Sequence, residues 1–482
     1  MLKSLAKNSA IYYLSNILTK GISFFLLPLY TSILSESDYG MLELISLLST
    51  VVIIIFTFQL GQAVARFYNE LTSQIEVKIY TSTIAFFVLI SFLTYSLIAF
   101  LFIESISSYV GLSESTTLIA LLSVAANGLF YLSQNQLAWK IMPVQEIISG
   151  LLYNLITIGL TVYFLVWMNT GILGIFIAQI AGSVAGICAG YLFTPRDYGF
   201  YFSWPVLKKL LVFSMPLIPG ALSIFIFTFS DRICIKEMLD MNELGVYSVG
   251  NKIASILTFT SLGVSAALSP LIYKHYKEPD TPQKIAMLFR IFSSLSFVVL
   301  AFISFFSSDI ILLMANENYS NAANVIPFLL VAIYLNSFVP FFPGLYIGKK
   351  TFLISIIAVC TGILNVVLNI WLIPENGIVA ASAVTAFSFG LNFLLLYFFS
   401  QRQFRINASV IPTLIIIISL LALLYLFGFY HLSRIWYVLG FVTCTLLCFL
   451  LVLKKSDYRF LKEKWSTQIV ARIKKNDIEN QK

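Results

Sequence analysis

Five basic side chains stand inside long apolar stretches of this 482-residue chain: Lys20, Arg66, Arg232, Lys252 and Arg290. A cation in apolar surroundings needs a compensating role, since mid-bilayer placement costs at least ~2.5–3.5 kcal/mol. Lys20 lies about ten residues into its stretch, or ~15 Å at 1.5 Å per residue, with no acid in the same stretch. Lys252 enters from the opposite end, among the polar neighbours Ser248, Asn251 and Ser255; Arg232 directly follows Asp231. Arg66 and Arg290 stand close to stretch ends. Ordered by depth, Arg66 and Arg290, then Lys20, Lys252 and Arg232 form a ladder of cations, which reads as a path for an anion such as a phosphate-bearing headgroup. A structural reading stands beside it: Arg66 and Arg290 can snorkel to an interface, and Arg232 can pair with Asp231 or another acid. Asp231 is the acidic residue placed for ion coupling.

Conventional catalysis is poorly represented. His275 and His431 fall in or beside loops, in no metal-ligand or triad spacing. No acidic cluster inside the apolar stretches offers general acid–base chemistry, and no Gly-rich phosphate loop precedes a lysine. All five cysteines (Cys188, Cys234, Cys360, Cys444 and Cys448) fall in apolar stretches, so neither a disulfide framework nor a metal cluster is indicated. No cofactor, no metal and no enzymatic activity are expected.

The elements that carry these charges follow from composition. The chain is 59% hydrophobic and 11% charged, with a mean hydropathy of +0.91, whereas soluble domains carry about 25% charged residues. Lipid must cover the outside, which excludes a soluble enzyme, a coiled coil and a disordered scaffold. Lys3 and Lys7 precede an apolar run that contains Lys20 and lacks a small-residue cleavage site, so the first segment is expected to remain in the protein.

A hydrocarbon core of ~30 Å needs about 20 apolar residues per helix. Fourteen such spans are expected, at 10–33, 41–62, 80–103, 115–138, 147–168, 171–193, 210–234, 244–268, 285–306, 323–347, 352–372, 377–399, 409–429 and 435–453. Runs of this length without period-two alternation exclude a barrel, so the fold class is an all-α integral membrane protein. With the N-terminus inside, 25 of the 30 Lys and Arg residues fall on the cytoplasmic side, and the outer loops keep only Lys236 and Arg434. This asymmetry predicts cytoplasmic termini and accounts for the net charge of +8 without nucleic acid. The tail carries Leu461, Trp465, Ile469 and Ile473 among lysines and reads as a basic helix on the inner leaflet or as a solvated tail.

The first and second groups of six spans look alike. Ser37-Asp38-Tyr39-Gly40-Met41-Leu42 opens span two, and Asn242-Glu243-Leu244-Gly245-Val246-Tyr247 opens span eight, 205 residues later. The same offset pairs Tyr68 with Tyr273, and Asn154 with Gly171-Ile172-Leu173-Gly174 is echoed by Asn365 with Gly377-Ile378-Val379-Ala380. An even number of helices per copy gives both one orientation, as in transporters with parallel repeats. The expected organisation is an N-terminal six-helix lobe over 1–200, a second over 201–400, two further helices over 401–453 and a basic tail over 454–482. Pro28, Pro216, Pro219, Pro340 and Pro343 bend or break their spans, as hinges of alternating access or as static kinks.

The pattern Pro28-Leu29-Tyr30-Thr31-Ser32-Ile33-Leu34 followed by Tyr39-Gly40 resembles the opening of bacterial polysaccharide flippases of the Wzx type. So does Ser230-Asp231-Arg232-Ile233 through Leu244-Gly245-Val246-Tyr247-Ser248 to Lys252-Ile253. Those proteins share a superfamily with MATE multidrug exporters and the lipid II flippase. The resemblance implies flipping of an undecaprenyl-pyrophosphate-linked oligosaccharide from the inner to the outer leaflet of the bacterial cytoplasmic (inner) membrane, with basic residues in a central cavity. A polymerase or ligase in the same membrane would consume the product, for O-antigen, capsule or exopolysaccharide. Two other readings remain: a MATE-like exporter of drugs or small metabolites, which for organic cations would want a membrane-embedded acid, a place only Asp231 fits, and a membrane-embedded glycosyltransferase or polymerase, which would need a sizeable outer loop and catalytic carboxylates.

Overall fold

The computed structural model describes Phe24 and residues 26–458. Its helices in chain order are α1 (Leu27–Ile33), α2 (Glu36–Phe56), α3 (Leu60–Phe67), α4 (Gln74–Leu101), α5 (Ile103–Val110), α6 (Glu114–Trp139), α7 (Pro143–Val162), α8 (Ile172–Phe193), α9 (Trp204–Ser214) and α10 (Ile218–Met238). They continue with α11 (Met241–Ala254), α12 (Thr258–His275), α13 (Thr281–Phe305), α14 (Ser307–Met314), α15 (Ala322–Asn336), α16 (Gly344–Ile347), α17 (Thr351–Gln403), α18 (Ile411–Phe429) and α19 (Arg434–Val452). No strand occurs among the described residues. The protein is a multi-pass, all-α membrane protein.

Among the described residues, eleven helices are long and apolar enough to cross a membrane. The difference from the fourteen expected spans has three sources. The 53 residues of α17 hold two expected spans in one element, joined at Gly377, where φ 62° and ψ −153° leave the helical region. Expected span eight is cut by a 3-10 turn, Ser255–Leu257, into α11 and α12, neither of which is among the eleven. Expected span one lies outside the described residues apart from Phe24 and 26–33.

Local chemistry sets the helix ends. Ser35 accepts a hydrogen bond from the Asp38 backbone N–H, while the Asp38 carboxylate accepts one from the Ser35 N–H, so both satisfy orphan donors at the start of α2. Ser73 and Glu76 repeat this box at α4. Pro216 sits in a 3-10 turn, Met215–Leu217, between α9 and α10, and Pro340 in another, Val339–Phe341. Proline lacks the N–H a continuous helix requires there.

The chain divides into two compact units. The first comprises Met1–Ile253, Ser308–Val325 and Ser355–Ser388. Within it α8 packs on α6 and α7, and α2 on α6 and α10. Two glycines paired in the expected repeat have like backbone angles in this unit. Gly171 has φ 59° and ψ −146°, and its repeat partner Gly377 has nearly the same pair of angles. Only glycine adopts that region without strain. Gly40 and Gly245, aligned by the 205-residue offset, meet where α2 crosses α11: a Cβ on Gly40 would strike the Met241 carbonyl oxygen, and one on Gly245 the Glu36 carbonyl oxygen.

The second unit comprises Ala254–Ser307, Ile326–Ile354 and Phe389–Lys482. Here α13 and α18 pack on α19. Its core is a cluster of tilted and edge-on rings, with Phe289 5.0 Å from Phe338 and Phe342 4.9 Å from Tyr397, centre to centre. Such arrangements let the positive ring edges meet negative faces.

Candidate functional site

The buried ionic cluster of the first unit is built on α10. Asp231 and Arg232 are 3% and 4% exposed. The Arg232 Nε lies 2.9 Å from Glu43 Oε1 on α2, and its Nη1 lies 3.3 Å from Asp231 Oδ1. Arg232 Nη1 also donates to the Thr228 carbonyl one turn back, at 3.2 Å. The guanidinium stands 5.0 Å from the Phe229 ring centre and 5.9 Å from that of Tyr247.

Asp231 is held from several sides. Its Oδ1 accepts the Arg232 backbone N–H at 2.8 Å. Its Oδ2 accepts the fully buried Tyr247 hydroxyl from α11 and, at 3.2 Å, the Thr385 hydroxyl from α17. One residue earlier, Ser230 donates to Asn365 Oδ1 at 2.9 Å, and Asn369 donates to the same oxygen at 3.0 Å. The buried Asn369 Oδ1 has no hydrogen-bond partner among the described residues. Two carboxylates face one guanidinium, so with both acids ionised the cluster carries a formal charge of −1. The site thus presents carboxylate and amide oxygens together, all of them acceptors.

The basic residues singled out in the sequence are distributed as follows. Arg232 is the centre of this cluster. Lys252 is half-buried near the end of α11 and is engaged by a neighbour. Arg66, at the end of α3, pairs with Glu70 at 2.6 Å on an exposed surface, where Lys209 also reaches Glu70. That arginine holds the Glu70 carboxyl below its usual range through its hydrogen bond. Arg290 belongs to the second unit and makes a two-pronged bond to buried Asp457, Nε to Oδ2 at 2.7 Å and Nη2 to Oδ1 at 2.8 Å. Lys20 lies outside the described residues, as do 459–482 of the expected basic tail.

Sequence reading missed Glu43, Tyr247, Thr385 and Asn369 as members of the cluster. Glu43 carried a readable signal, being an acid just inside an expected span. Tyr247 and Thr385 looked like ordinary residues of apolar helices, and only packing aims both hydroxyls at Asp231. No group of three or more His, Cys, Asp or Glu side chains able to hold a metal ion occurs among the described residues.

The chain can be set beside known proteins on this geometry. No curated protein sequence matches it. Among solved structures it is similar to the "Lipid II flippase MurJ, inward closed conformation", with TM-score 0.69 and 14% identity over 94% of this chain and 99% of that one. It is also similar to an inward-facing multidrug resistance MATE family transporter of the MOP superfamily, with TM-score 0.64 and 16% identity over 82% of this chain and 94% of that one. The outward-facing form of a MATE family transporter aligns with TM-score 0.56 and 16% identity over 83% of this chain and 95% of that one. The fold is therefore one shared with transporters. The MatE family matches residues 216–371, which carry Asp231 and Arg232. The polysaccharide biosynthesis protein family matches residues 5–274, more than half of the sequence and all of α2 through α11. By that extent of match, the chain belongs to the polysaccharide biosynthesis protein family.

Proposed function

We propose that this protein flips undecaprenyl-pyrophosphate-linked oligosaccharide repeat units from the cytoplasmic to the outer leaflet of the bacterial inner membrane, by alternating access, for O-antigen, capsule or exopolysaccharide synthesis. The family match over residues 5–274 carries the reading. The likeness to a lipid flippase supports it, because it takes in 94% of this chain against 82% for the inward-facing MATE transporter. In this reading Lys20, Lys252 and Arg232 meet the pyrophosphate, whose charge crosses lipid only beside cations. Arg66 and Arg290 would first have to exchange their carboxylate partners. Asp231, with Thr385, Asn365 and Asn369 around it, takes the coupling proton or cation, and its occupation loosens Asp231 from Arg232. A polymerase or ligase on the outer face consumes the product. Both termini are cytoplasmic in this arrangement.

The test is a deletion strain, from which polyprenyl-linked oligosaccharides are extracted and assigned to a leaflet. Complete repeat units held at the inner leaflet, with surface polymer lost, are the expected result, and Lys20→Ala and Lys252→Ala should reproduce it at normal protein level. The match of the MatE family across Asp231 favours one other reading, an ion-coupled exporter of drugs or metabolites. Unchanged lipid-linked sugars together with raised drug accumulation would select that exporter.

A further inference from the structure

A further basic site lies in the second unit. The segment 404–410, between α17 and α18, is pinned in place by side chains of the helix that precedes it. Gln401 Nε2 donates to the Ile406 carbonyl at 3.0 Å, and Gln401 Oε1 accepts the Ile406 N–H at 2.7 Å. The Tyr397 hydroxyl donates to the Ala408 carbonyl at 3.1 Å. Opposite this segment the end of α19 is held as firmly. Asp457, fully buried, takes both prongs of Arg290 and accepts the Lys454 backbone N–H at 2.9 Å. Burial raises the Asp457 carboxyl, but the Arg290 hydrogen bonds and the Lys454 N–H outweigh it, so it stays charged below its usual range.

Between these two walls is a cavity of about 660 Å³ lined by Arg402, Arg405 and Lys454 as well as by Arg290, Asn407 and Ser409. The charge of Arg290 is matched by Asp457. Those of Arg402, Arg405 and Lys454 meet no carboxylate within 4 Å among the described residues, and all three side chains are exposed. Arg402 lies over the Phe398 ring at 4.3 Å, which holds its guanidinium in place while leaving its N–H groups free to donate. Three cations without a carboxylate partner among the described residues, beside a segment pinned by hydrogen bonds and with an amide and a hydroxyl next to them, suit a phosphate better than a carboxylate, since arginine forks match phosphate oxygens in pairs. The cavity opens where α17 ends, α18 begins and α19 ends, which are ends of apolar spans. That is the depth of lipid headgroups.

We infer that this cavity binds the phosphate of an anionic lipid headgroup at the membrane surface and so anchors the last two spans to the lipid. The inference does not depend on what the protein transports. It is tested on the full chain, purified in detergent and titrated with phosphatidylglycerol, with phosphatidylcholine and with inorganic pyrophosphate, bound molecules being counted by native mass spectrometry. Phosphatidylglycerol should bind preferentially, and Arg402→Gln with Arg405→Gln should weaken it by about fivefold for each charge removed. Lys349→Gln with Lys350→Gln removes the same charge elsewhere and should leave that affinity unchanged. Equal loss in the two double variants would overturn the site, as would equal binding of the two lipids. Tight pyrophosphate binding that depends on Arg402 and Arg405, without preference for phosphatidylglycerol, would overturn the lipid source and assign the site to a soluble phosphate compound.

Discussion

A guanidinium that is 4% exposed is kept in this protein by two carboxylates and two aromatic rings. Burying such a group is costly, and the cost of removing one partner exceeds the net gain from the intact set, because it strands the other charges. Arg232→Met leaves Asp231 and Glu43 without their cation and should destabilise the protein by about 3–5 kcal/mol. Adding Glu43→Gln to that variant should recover part of the loss, giving a coupling of about 0.5–3 kcal/mol in a double-mutant cycle. Thermal melting of the purified variants measures this, and strict additivity would show that Glu43 and Arg232 do not interact. Arg232→Lys keeps the charge without the planar fork. Partial glycan export in that variant would indicate a point charge at work, and complete loss would indicate that the fork itself is required.

At the scale of elements, two glycine pairs define how helices meet and turn. The crossing of α2 with α11 brings Gly40 and Gly245 backbone to backbone, and neither neighbour is a flexible side chain able to give way. Gly40→Ala or Gly245→Ala must push the helices apart and should lower the melting temperature. The double variant should lose less than the sum, since one displacement relieves both clashes. The second pair acts through conformation. Gly171 and Gly377 have open space around them, so Gly171→Ala and Gly377→Ala should each cost about 1–3 kcal/mol from backbone strain alone. Gly159 also has open space but sits in the helical interior of α7, and Gly159→Ala should be neutral or mildly stabilising in the same melting assay. Similar costs at Gly171 and Gly377 with none at Gly159 are the signature of strain; equal effects at all three would reject it.

At the scale of the whole molecule, topology is a matter of charge distribution. A C-terminal fluorescent-protein fusion should glow and a C-terminal alkaline phosphatase fusion should be inactive, as the expected placement of 25 of the 30 basic residues on the cytoplasmic side predicts. Active phosphatase at that end would reverse the orientation, and with it the direction assigned to flipping. On the expected orientation the Arg402, Arg405 and Lys454 cavity would face the cytoplasmic leaflet, where anionic lipids attract basic residues.

Fold class and helical character were legible in the chain because each is written in local or periodic terms. Apolar runs of helical length admit one backbone solution in lipid, and the positive-φ backbone at Gly171 and Gly377 falls on glycine as residue type allows. Arg232 and Asp231 were legible as charges needing partners because a charge in an apolar stretch stands out without any structure. Their partners were not. Glu43, Tyr247 and Thr385 stand 189, 15 and 153 residues from Arg232, and no periodicity links positions so far apart. The same holds for Arg290, whose partner Asp457 lies 167 residues away. Sequence determined which residues carry charge and which must be helical. Packing alone determined which charges neutralise each other, because a Coulomb interaction depends on separation in space and on local dielectric, and neither is a property of neighbours along the chain.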